Sequence, residues 1–265
     1  MSTIGKQVRL SQLFNQKTKN SIVVAMDHAA VLGPIPGIID PRKTVELISR
    51  GKPDTFFMPN GVVKQVYPYF VEHQIPFMLS IDTCVEMGPE PGYFMLSDSV
   101  MHAVQLGASG VCMHVYVGAE KTSDMLKGLA KVAEDCDNLG MPLMAIMYPL
   151  GFDDDNDVKH VKWAARIGAE LGADIVKSHY TGSVESFAEV TEACAVPVLL
   201  SGGPRSDNPI DFLNVLKGVI DAGGHGCAVG RNLWQYKDPL AMLESIKAIV
   251  HKGASVEEAA ALLKK

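Results

Sequence analysis

Lys177 is a candidate nucleophile because it directly follows an apolar run at residues 173–176. Burial disfavours a charged ammonium and favours the free amine, which attacks carbonyl carbons and forms a Schiff base. The alternative is a structural lysine whose stem lies on apolar surface while its head reaches solvent. Position alone leaves both interpretations open.

Two further groups that could transfer protons also follow apolar runs. Tyr148 comes just after residues 142–147, and Asp27 and His28 follow residues 22–26. A phenol can give or take a proton when a partner stabilises its charged form, and an acid beside a histidine can orient a hydroxyl or move protons. The alternatives are a tyrosine at a packing interface and a capping or turn pair at the end of a strand.

Two glycine-rich segments after later apolar runs could bind an anion. They are Ser201-Gly202-Gly203-Pro204 and Gly230-Arg231-Asn232. Glycine allows backbone N–H groups to approach an anion closely, and the arginine adds a charge-assisted contact. A short helix over residues 232–235 would aim its N-terminus at the same ligand. This pattern predicts a phosphate site.

An acidic loop at residues 153–157 invites a metal interpretation, but it lacks the glycine that a calcium loop carries at its sixth position. We interpret it as a solvated loop in which Asp157 lies near a helix start. The histidines show no metal-ligand spacing, so no metal-dependent mechanism is expected. The five cysteines form no CxxC pair and are interpreted as buried hydrophobes rather than a disulfide or zinc set.

Eight short apolar runs recur along the chain, each followed by a segment with a helical pattern. They cover residues 22–26, 55–58, 76–81, 110–115, 142–147, 174–176, 196–200 and 226–229. Continuous rather than alternating apolar runs are typical of parallel strands that are buried on both faces. The pattern predicts a (β/α)8 TIM barrel, with an open doubly wound sheet as the alternative. In a barrel, the candidate residues would meet at the carboxyl ends of the strands.

The segments around these strands carry helix boundaries. Glycines are predicted to end four helices at residues 107, 140, 172 and 223, and Ser123 is predicted to cap another at its start. The segment before Ile22 would cap the barrel. A capping box from Ser255 to Glu258 opens a C-terminal helix after Gly253, which could pack on the barrel or on a neighbouring subunit. With no linker, the chain is predicted to form one domain, 1–265.

Composition narrows the possible partners. The chain has 265 residues, 24 basic and 30 acidic side chains, and a formal net charge of −6. This balance argues against nucleic-acid binding and against electrostatic membrane docking, which require basic surfaces. The first 20 residues have no apolar core like that of a signal peptide, and no apolar stretch reaches the roughly 18 residues of a membrane span. A cytoplasmic location is therefore expected.

Five motifs at five predicted strand ends resemble the DeoC/LacD-type class I aldolases. They are Ala25-Met26-Asp27-His28, Tyr148-Pro149, Asp174-Ile175-Val176-Lys177-Ser178-His179-Tyr180, Ser201-Gly202-Gly203-Pro204 and Val229-Gly230-Arg231-Asn232. The branch that the chain resembles most contains archaeal-type fructose-bisphosphate aldolase and 2-amino-3,7-dideoxy-D-threo-hept-6-ulosonate synthase. The resemblance extends from about Ile22 to Val250.

The resemblance implies a metal-independent mechanism with no cofactor, in which Lys177 forms an imine with a phosphorylated ketose. Tyr148 would act as general acid and base on the substrate hydroxyl, and Asp27 would hold hydroxyls and assist proton transfer, with His28 as a weaker candidate beside it. The phosphate would be bound by Ser201, Gly202, Gly203, Gly230 and Arg231. The resemblance further implies a homo-oligomer, often a decamer.

Two departures from the family pattern concern the far end of the substrate. The chain has Leu150 where the relatives usually have an arginine after Tyr-Pro, and Asn60 where they have a basic residue. Leucine cannot bind a second phosphate. Asp82 and Glu86 add acidic groups to the third loop. We therefore expect a ketose 1-phosphate rather than a bisphosphate, with a neutral, polar or cationic distal end.

Three alternatives to simple retro-aldol cleavage stay open. A transaldolase-type synthase would transfer the ketone fragment to a second aldehyde. A thiolase-type relative generally departs from the Tyr-Pro pair, so Tyr148 counts against it. A non-catalytic barrel that binds phosphorylated metabolites would bind phosphate without forming an imine.

Overall fold

The computed structural model describes residues 4–264, and within them ten strands. The strands are β1 (Ser21–Ala25), β2 (Thr55–Pro59), β3 (Phe77–Ser80), β4 (Asp82–Thr83), β5 (Met95–Leu96), β6 (Gly110–Val117), β7 (Leu143–Pro149), β8 (Ile175–Ser178), β9 (Val198–Ser201) and β10 (Gly226–Val229). Eight of them, all except β4 and β5, close into a parallel barrel in the order β1-β10-β9-β8-β7-β6-β3-β2. The predicted TIM barrel is thus confirmed, and all eight apolar runs form its strands.

Helices connect the strands and surround the barrel. They are α1 (Ile4–Leu13), α2 (His28–Leu32), α3 (Pro41–Arg50), α4 (Asn60–His73), α5 (Val100–Gln105), α6 (Thr122–Leu139), α7 (Val158–Glu170), α8 (Val184–Ala193), α9 (Pro209–Asp221), α10 (Arg231–Trp234), α11 (Pro239–Lys252) and α12 (Val256–Leu262). The short antiparallel pair β4–β5 lies between β3 and α5, outside the barrel sheet.

The strands are apolar on both faces because each face is covered. Alternate side chains such as Val23 and Ala25 of β1 fill the barrel interior together with Phe57 and Ile146. The side chains between them face the surrounding helices and form the larger apolar layer. This double burial explains why the runs are continuous rather than alternating.

Most of the predicted helix boundaries are correct. Gly107, Gly140, Gly172 and Gly223 all have positive φ angles, between 65° and 100°, as a helix-ending glycine requires. The prediction for Ser123 is wrong, because α6 begins at Thr122 and Ser123 lies inside the helix. The hydroxyl of Thr122 instead organises this start by donating to the carbonyls of Tyr116 and Ala119.

Both ends of the chain pack on the barrel. Leu13, at the end of α1, inserts into the amino-terminal end of the barrel interior, where its carbonyl accepts a 2.6 Å hydrogen bond from Ser21. The predicted N-terminal cap is therefore confirmed. The capping box of Ser255 and Glu258 is present, and it opens α12, which packs against α9 and α11.

The five cysteines are free thiols buried in the apolar layers, as interpreted from the sequence. Burial raises the pKa of the Cys136 thiol to about 12, which keeps it protonated. Among residues 4–264, none of the helices combines the length and apolarity needed to cross a membrane.

Candidate active site

A cavity of about 530 Å³ opens at the carboxyl ends of the barrel strands. The nine site residues predicted from the sequence all line it. They are Asp27, His28, Tyr148, Lys177, Ser201, Gly202, Gly203, Gly230 and Arg231. The closed barrel brings them together from five different strands and the loops that follow them.

Lys177 lies within β8, one residue before the strand ends. It faces the barrel interior together with Ile175, while Val176 between them faces the helices. The residue is only 6% exposed, so its head does not extend into solvent as the structural alternative requires. Its Nζ lies 5.0 Å from the ring centre of Phe57 and 6.0 Å from that of Tyr148. Among residues 4–264, no carboxylate lies within ion-pair distance of this amine.

Tyr148 lies inside β7, next to β8, rather than beyond the strand. Its hydroxyl is 2.7 Å from the hydroxyl of Ser201, either of which can donate. Its ring stacks on His179 with ring centres 4.1 Å apart. The stack and the hydrogen bond fix both ends of the ring, so the hydroxyl is held inside the cavity.

His179 is a cavity residue to which the sequence analysis assigned no role. Burial, together with the smaller effect of the positive charge of Lys177, lowers its pKa to about 4. The ring is therefore neutral at physiological pH. Its Nδ1 is buried without a hydrogen-bond partner among the described residues.

The Asp27 carboxylate turns into the cavity. Although Asp27 immediately precedes α2, its side chain makes no capping hydrogen bond to that helix, so the capping alternative is wrong. Its Oδ1 lies 3.1 Å from Nδ1 of His28. Burial alone would raise the pKa of this carboxyl, but the contact with His28 and the charges of His114 and Lys177 outweigh it, and the pKa falls below its usual range. Asp27 is therefore an anion in the free protein.

His114 is a second cavity residue that the sequence analysis missed. It lies in β6, where the barrel register aligns it with Ile146 and Lys177 on the next two strands. Its Nε2 is 3.5 Å from Oδ2 of Asp27, and its Nδ1 is 3.2 Å from Oδ1 of Asp82. No sequence spacing indicates this arrangement, because its two acidic partners, in β4 and just after β1, are distant from it in the sequence.

The glycine-rich loops lie side by side, but one predicted contact is wrong. The N–H of Gly202 donates to the carbonyl of Ala228 at 3.1 Å, so it continues the barrel hydrogen bonding and cannot bind an anion. The N–H groups of Gly203 and Gly230 have no protein acceptor among residues 4–264. A Cβ on Gly230 would lie 2.7 Å from the His28 ring, which explains the need for glycine there.

Arg231 provides the charge at this end of the cavity. Burial lowers the pKa of its guanidinium, which still remains protonated at neutral pH. Its Nε is buried and has no hydrogen-bond partner among the described residues. A buried donor without a partner costs stability, so this group is available for an anionic ligand.

Asn232 ties the two glycine-rich loops together. Its Nδ2 donates to the carbonyls of Gly202 and Pro204 at 2.7 and 2.9 Å, and its Oδ1 accepts from the N–H of Ser206 at 2.9 Å. The residue is 5% exposed. All three contacts are to backbone groups, so the side chain sets the spacing between the loops.

The acidic loop bonds mainly to its own backbone. Asp154 and Asp155 accept from backbone N–H groups of the loop, and Asp157 caps α7 by accepting from Lys159 at 2.8 Å. Among the described residues, no group of three or more His, Cys, Asp or Glu is placed to hold a metal ion.

The loops that follow β3 and β7, two strands that do not neighbour β10 in the barrel, also line the cavity. Leu150 and Phe94 contribute to its wall, together with the carboxylate of Glu86. Asp82 and Asn60, which the sequence analysis placed near the far end of the substrate, do not line the cavity. The Asp82 side chain is fully buried and is engaged by His114, so it does not repel an incoming ligand directly.

Together these groups form a cavity with three functions. A buried amine can attack a carbonyl, a phenol–hydroxyl pair and a carboxylate can transfer protons, and an arginine beside free N–H groups can bind an anion. A profile of a known family matches residues 21–236, and that family is described as DeoC/LacD family aldolase. The chain belongs to the DeoC/LacD aldolase family.

Individual relatives support this assignment. The chain is 32% identical to 2-amino-3,7-dideoxy-D-threo-hept-6-ulosonate synthase of Halobacterium salinarum, over 98% of this chain and 97% of that protein. It is 33% identical to 2-amino-4,5-dihydroxy-6-oxo-7-(phosphonooxy)heptanoate synthase of Streptomyces griseus, over 95% and 92%.

A solved structure connects this aldolase family with covalent chemistry. An archaeal fructose-1,6-bisphosphate aldolase was solved with its catalytic lysine covalently bound to the carbinolamine intermediate of the substrate. It is 30% identical to this chain, covers 92% of it and 99% of its own length, and superposes with a TM-score of 0.85. Schiff-base aldolases of this kind form an imine on a lysine, and this imine, rather than a cofactor, is the electron sink.

Proposed function

We propose that this aldolase makes or breaks a carbon–carbon bond in a ketose 1-phosphate through an imine at Lys177. The observation that carries the proposal is that Lys177, a residue only 6% exposed, lines the cavity without a carboxylate within ion-pair distance among the described residues. A structural lysine buried to this degree normally has an acidic partner. The amine is instead left available to a substrate carbonyl.

The proposed reaction uses Lys177 as the nucleophile and Tyr148 as the acid and base. The Lys177 amine adds to the substrate ketone, and loss of water leaves a protonated imine. The imine draws electrons from the neighbouring carbon, while Tyr148 takes the proton of the hydroxyl two carbons from the imine. The carbon–carbon bond then breaks, the aldehyde leaves, and the electron pair forms an enamine. Tyr148 returns its proton to the enamine carbon, and hydrolysis of the imine releases the ketone.

The phosphate of the ketose would bind beside Arg231. The buried Nε of its guanidinium and the N–H groups of Gly203 and Gly230 are donors without a partner among the described residues at that end of the cavity. Ser201 lies between this end and Tyr148, so it can contact both the phosphate and the phenol. An anchored phosphate places the adjacent ketone near Lys177, which reduces the entropy cost of imine formation.

The opposite end of the cavity favours a substrate without a second phosphate. Leu150 supplies an apolar surface there, and Glu86 supplies a negative charge. We therefore propose a neutral, polar or cationic distal end. The Asp82 carboxylate does not face this end of the cavity, because it is fully buried and pairs with His114.

A transaldolase-type synthase is the second candidate. The two relatives named above, at 32% and 33% identity, are both described as synthases. In such a reaction the enamine attacks a second aldehyde before it is protonated. Release of free dihydroxyacetone phosphate only in the absence of an acceptor aldehyde would favour the synthase.

Steady-state cleavage of fructose 1-phosphate and of fructose 1,6-bisphosphate tests the proposed function. We expect a higher kcat/KM for the monophosphate, and we expect Lys177→Met to abolish cleavage. Lys162→Met is the matched control, since Lys162 lies on the surface in an ion pair with Glu189. A strong preference for the bisphosphate contradicts the distal-end proposal. Binding of inorganic phosphate without cleavage of any ketose phosphate supports a non-catalytic binding barrel instead.

Two remaining expectations, the single domain and the cytoplasmic location, rest on the sequence pattern, and a third, the oligomeric state, rests on the resemblance. We propose that residues 1–265 act as one domain, that the protein is a cytoplasmic homo-oligomer, and that a decamer is the form to test first. Light scattering coupled to size-exclusion chromatography measures the oligomer mass directly, and a monomer would contradict the expectation.

A further inference from the structure

Three polar side chains contact one another in a row: Asp82 contacts His114, and His114 faces Asp27. Asp82, in β4, contacts Nδ1 of His114 through both carboxylate oxygens, at 3.2 and 3.3 Å. Nε2 of the same ring lies 3.5 Å from Oδ2 of Asp27. The side chains of His114 and Asp82 are 8% and 0% exposed, so solvent does not separate the members.

Asp82 fixes the orientation of the His114 ring. It accepts a hydrogen bond from the backbone N–H of His114 as well as facing Nδ1. Phe94 stacks on the ring with centres 4.1 Å apart and an interplanar angle of 17°. These contacts hold Nδ1 as a donor toward Asp82 and aim Nε2 at the cavity and at Asp27.

The ring is therefore placed between two carboxylates. With Nδ1–H donated to Asp82, a neutral ring would present a lone pair to the Asp27 anion, whereas a protonated ring presents a donor to each side. The 3.5 Å separation from Asp27 is longer than a good hydrogen bond. Such contacts in free enzymes often shorten when the substrate binds.

Formation of a protonated imine from a neutral amine and a ketone consumes one proton and releases one water. Asp27 is an anion in the free protein, so it needs a source for the proton that it passes to the substrate. Two histidines lie near this carboxylate, with Nδ1 of His28 at 3.1 Å and Nε2 of His114 at 3.5 Å. The side chain of His114 is the more buried of the two, at 8% exposed against 17% for His28, and Asp82 and Phe94 hold its ring in place.

We propose that His114 is a positioning and proton-relay residue that acts through Asp27 during imine formation. The inference rests on the proposed Schiff-base function. The Nε2 proton of His114 moves to Asp27, and Asp27 protonates the hydroxyl of the carbinolamine. The carbon–oxygen bond breaks, water leaves with that electron pair, and the nitrogen lone pair forms the C=N bond. Hydrolysis of the imine reverses these steps and returns the proton to His114.

The test compares His114→Gln with the wild type in the full chain. Glutamine can still donate a hydrogen bond toward Asp27, but it cannot release a proton, so a purely structural role would be preserved. The measurement is the single-turnover rate of imine formation with dihydroxyacetone phosphate, trapped with borohydride at successive times. We expect the rate to fall by about 10²-fold, the low end of the range for proton-transfer groups, with KM changed less than about threefold. His102→Gln is the matched control. His102 lies on the outer helix α5, away from the cavity, and pairs with Asp98, which precedes that helix.

Chemical rescue distinguishes a proton-relay role of His114 from a purely structural role. Added imidazole should restore part of the rate in His114→Gly, because the deleted ring borders the open cavity. If that variant does not fold, Asp82→Asn takes its place and should slow imine formation by about tenfold without raising KM. An unchanged rate in His114→Gln, or a folded His114→Gly that imidazole does not rescue, overturns the relay. Absence of any adduct in the wild type refutes the proposed function itself, which distinguishes the two failures.

Discussion

Removing the hydroxyl of Tyr148 should abolish most catalysis while leaving the fold intact. In Tyr148→Phe the ring can still stack on His179, whose ring centre lies 4.1 Å away. The variant loses one hydrogen bond, the 2.7 Å contact with Ser201. Such a bond contributes about 1 kcal/mol net, and for a chain of this size that corresponds to a decrease in Tm of about 2–4 °C.

The catalytic effect should be much larger than the effect on stability. A proton-transfer group typically contributes 10²–10⁴-fold, or about 3–5 kcal/mol of barrier. We therefore expect kcat for cleavage of fructose 1-phosphate to fall at least about 100-fold. Imine trapping at Lys177 should persist, because Tyr148 acts after the imine forms.

Ser201→Ala is the matched control for this prediction. It removes the same hydrogen bond but leaves the phenol, so kcat should fall no more than about tenfold, which corresponds to about 1.4 kcal/mol. The assay is coupled steady-state cleavage, with thermal melts of both variants. A Tyr148→Phe enzyme that keeps kcat within about fivefold of the wild type would refute the assignment of Tyr148 as the acid–base group.

Three further predictions concern other parts of the cavity. Leu150→Arg should lower KM for fructose 1,6-bisphosphate by about tenfold or more, since a charge-assisted hydrogen bond contributes about 1.5–3 kcal/mol. Leu150→Gln, the control, should not lower this KM. If both variants lower KM equally, the arginine does not act by contacting a phosphate. Asn232→Ala should raise KM for ketose phosphates more than it lowers kcat, because the carbonyls of Gly202 and Pro204 lose the donor that spaces the two loops; an unchanged KM would show that the loops keep their spacing without it. His179 should make the free energy of unfolding depend on pH, because its folded-state pKa of about 4 lies below the unfolded value of about 6.5. Its contribution to that free energy is fully present above about pH 6.5. As the pH falls toward 4, up to about 3 kcal/mol of this stability is lost. Urea midpoints across this window should fall more steeply for the wild type than for His179→Gln, and parallel curves would contradict the shift.

The barrel and the main residues of the cavity could be predicted because patterns of neighbouring residues in the sequence indicate them. Continuous apolar runs result from strands covered on both faces, and Lys177 stands out because it continues one of these runs. In the closed barrel, the ends of different strands converge, so residues as distant in sequence as Asp27 and Arg231 line the same cavity.

The features that could not be predicted depend on the register of neighbouring strands and on contacts between residues distant in the sequence. His114 lies within an apolar run and resembles a core histidine, and only the structure shows that Asp82, 32 residues away, contacts its ring. Gly202 was expected to bind phosphate, but the register of β9 and β10 commits its N–H to Ala228. The Asn232 contacts likewise require the relative placement of two loops, which no local pattern encodes.

The central claim is covalent chemistry at Lys177, and peptide mapping after borohydride reduction tests it most directly. The full chain is reduced in the presence of dihydroxyacetone phosphate, digested and analysed by mass spectrometry. We predict a reduced ketose-phosphate adduct on Lys177, no adduct on surface Lys162, and no adduct in Lys177→Met. An adduct that persists in Lys177→Met, or none on Lys177 with any ketose phosphate, would contradict the mechanism.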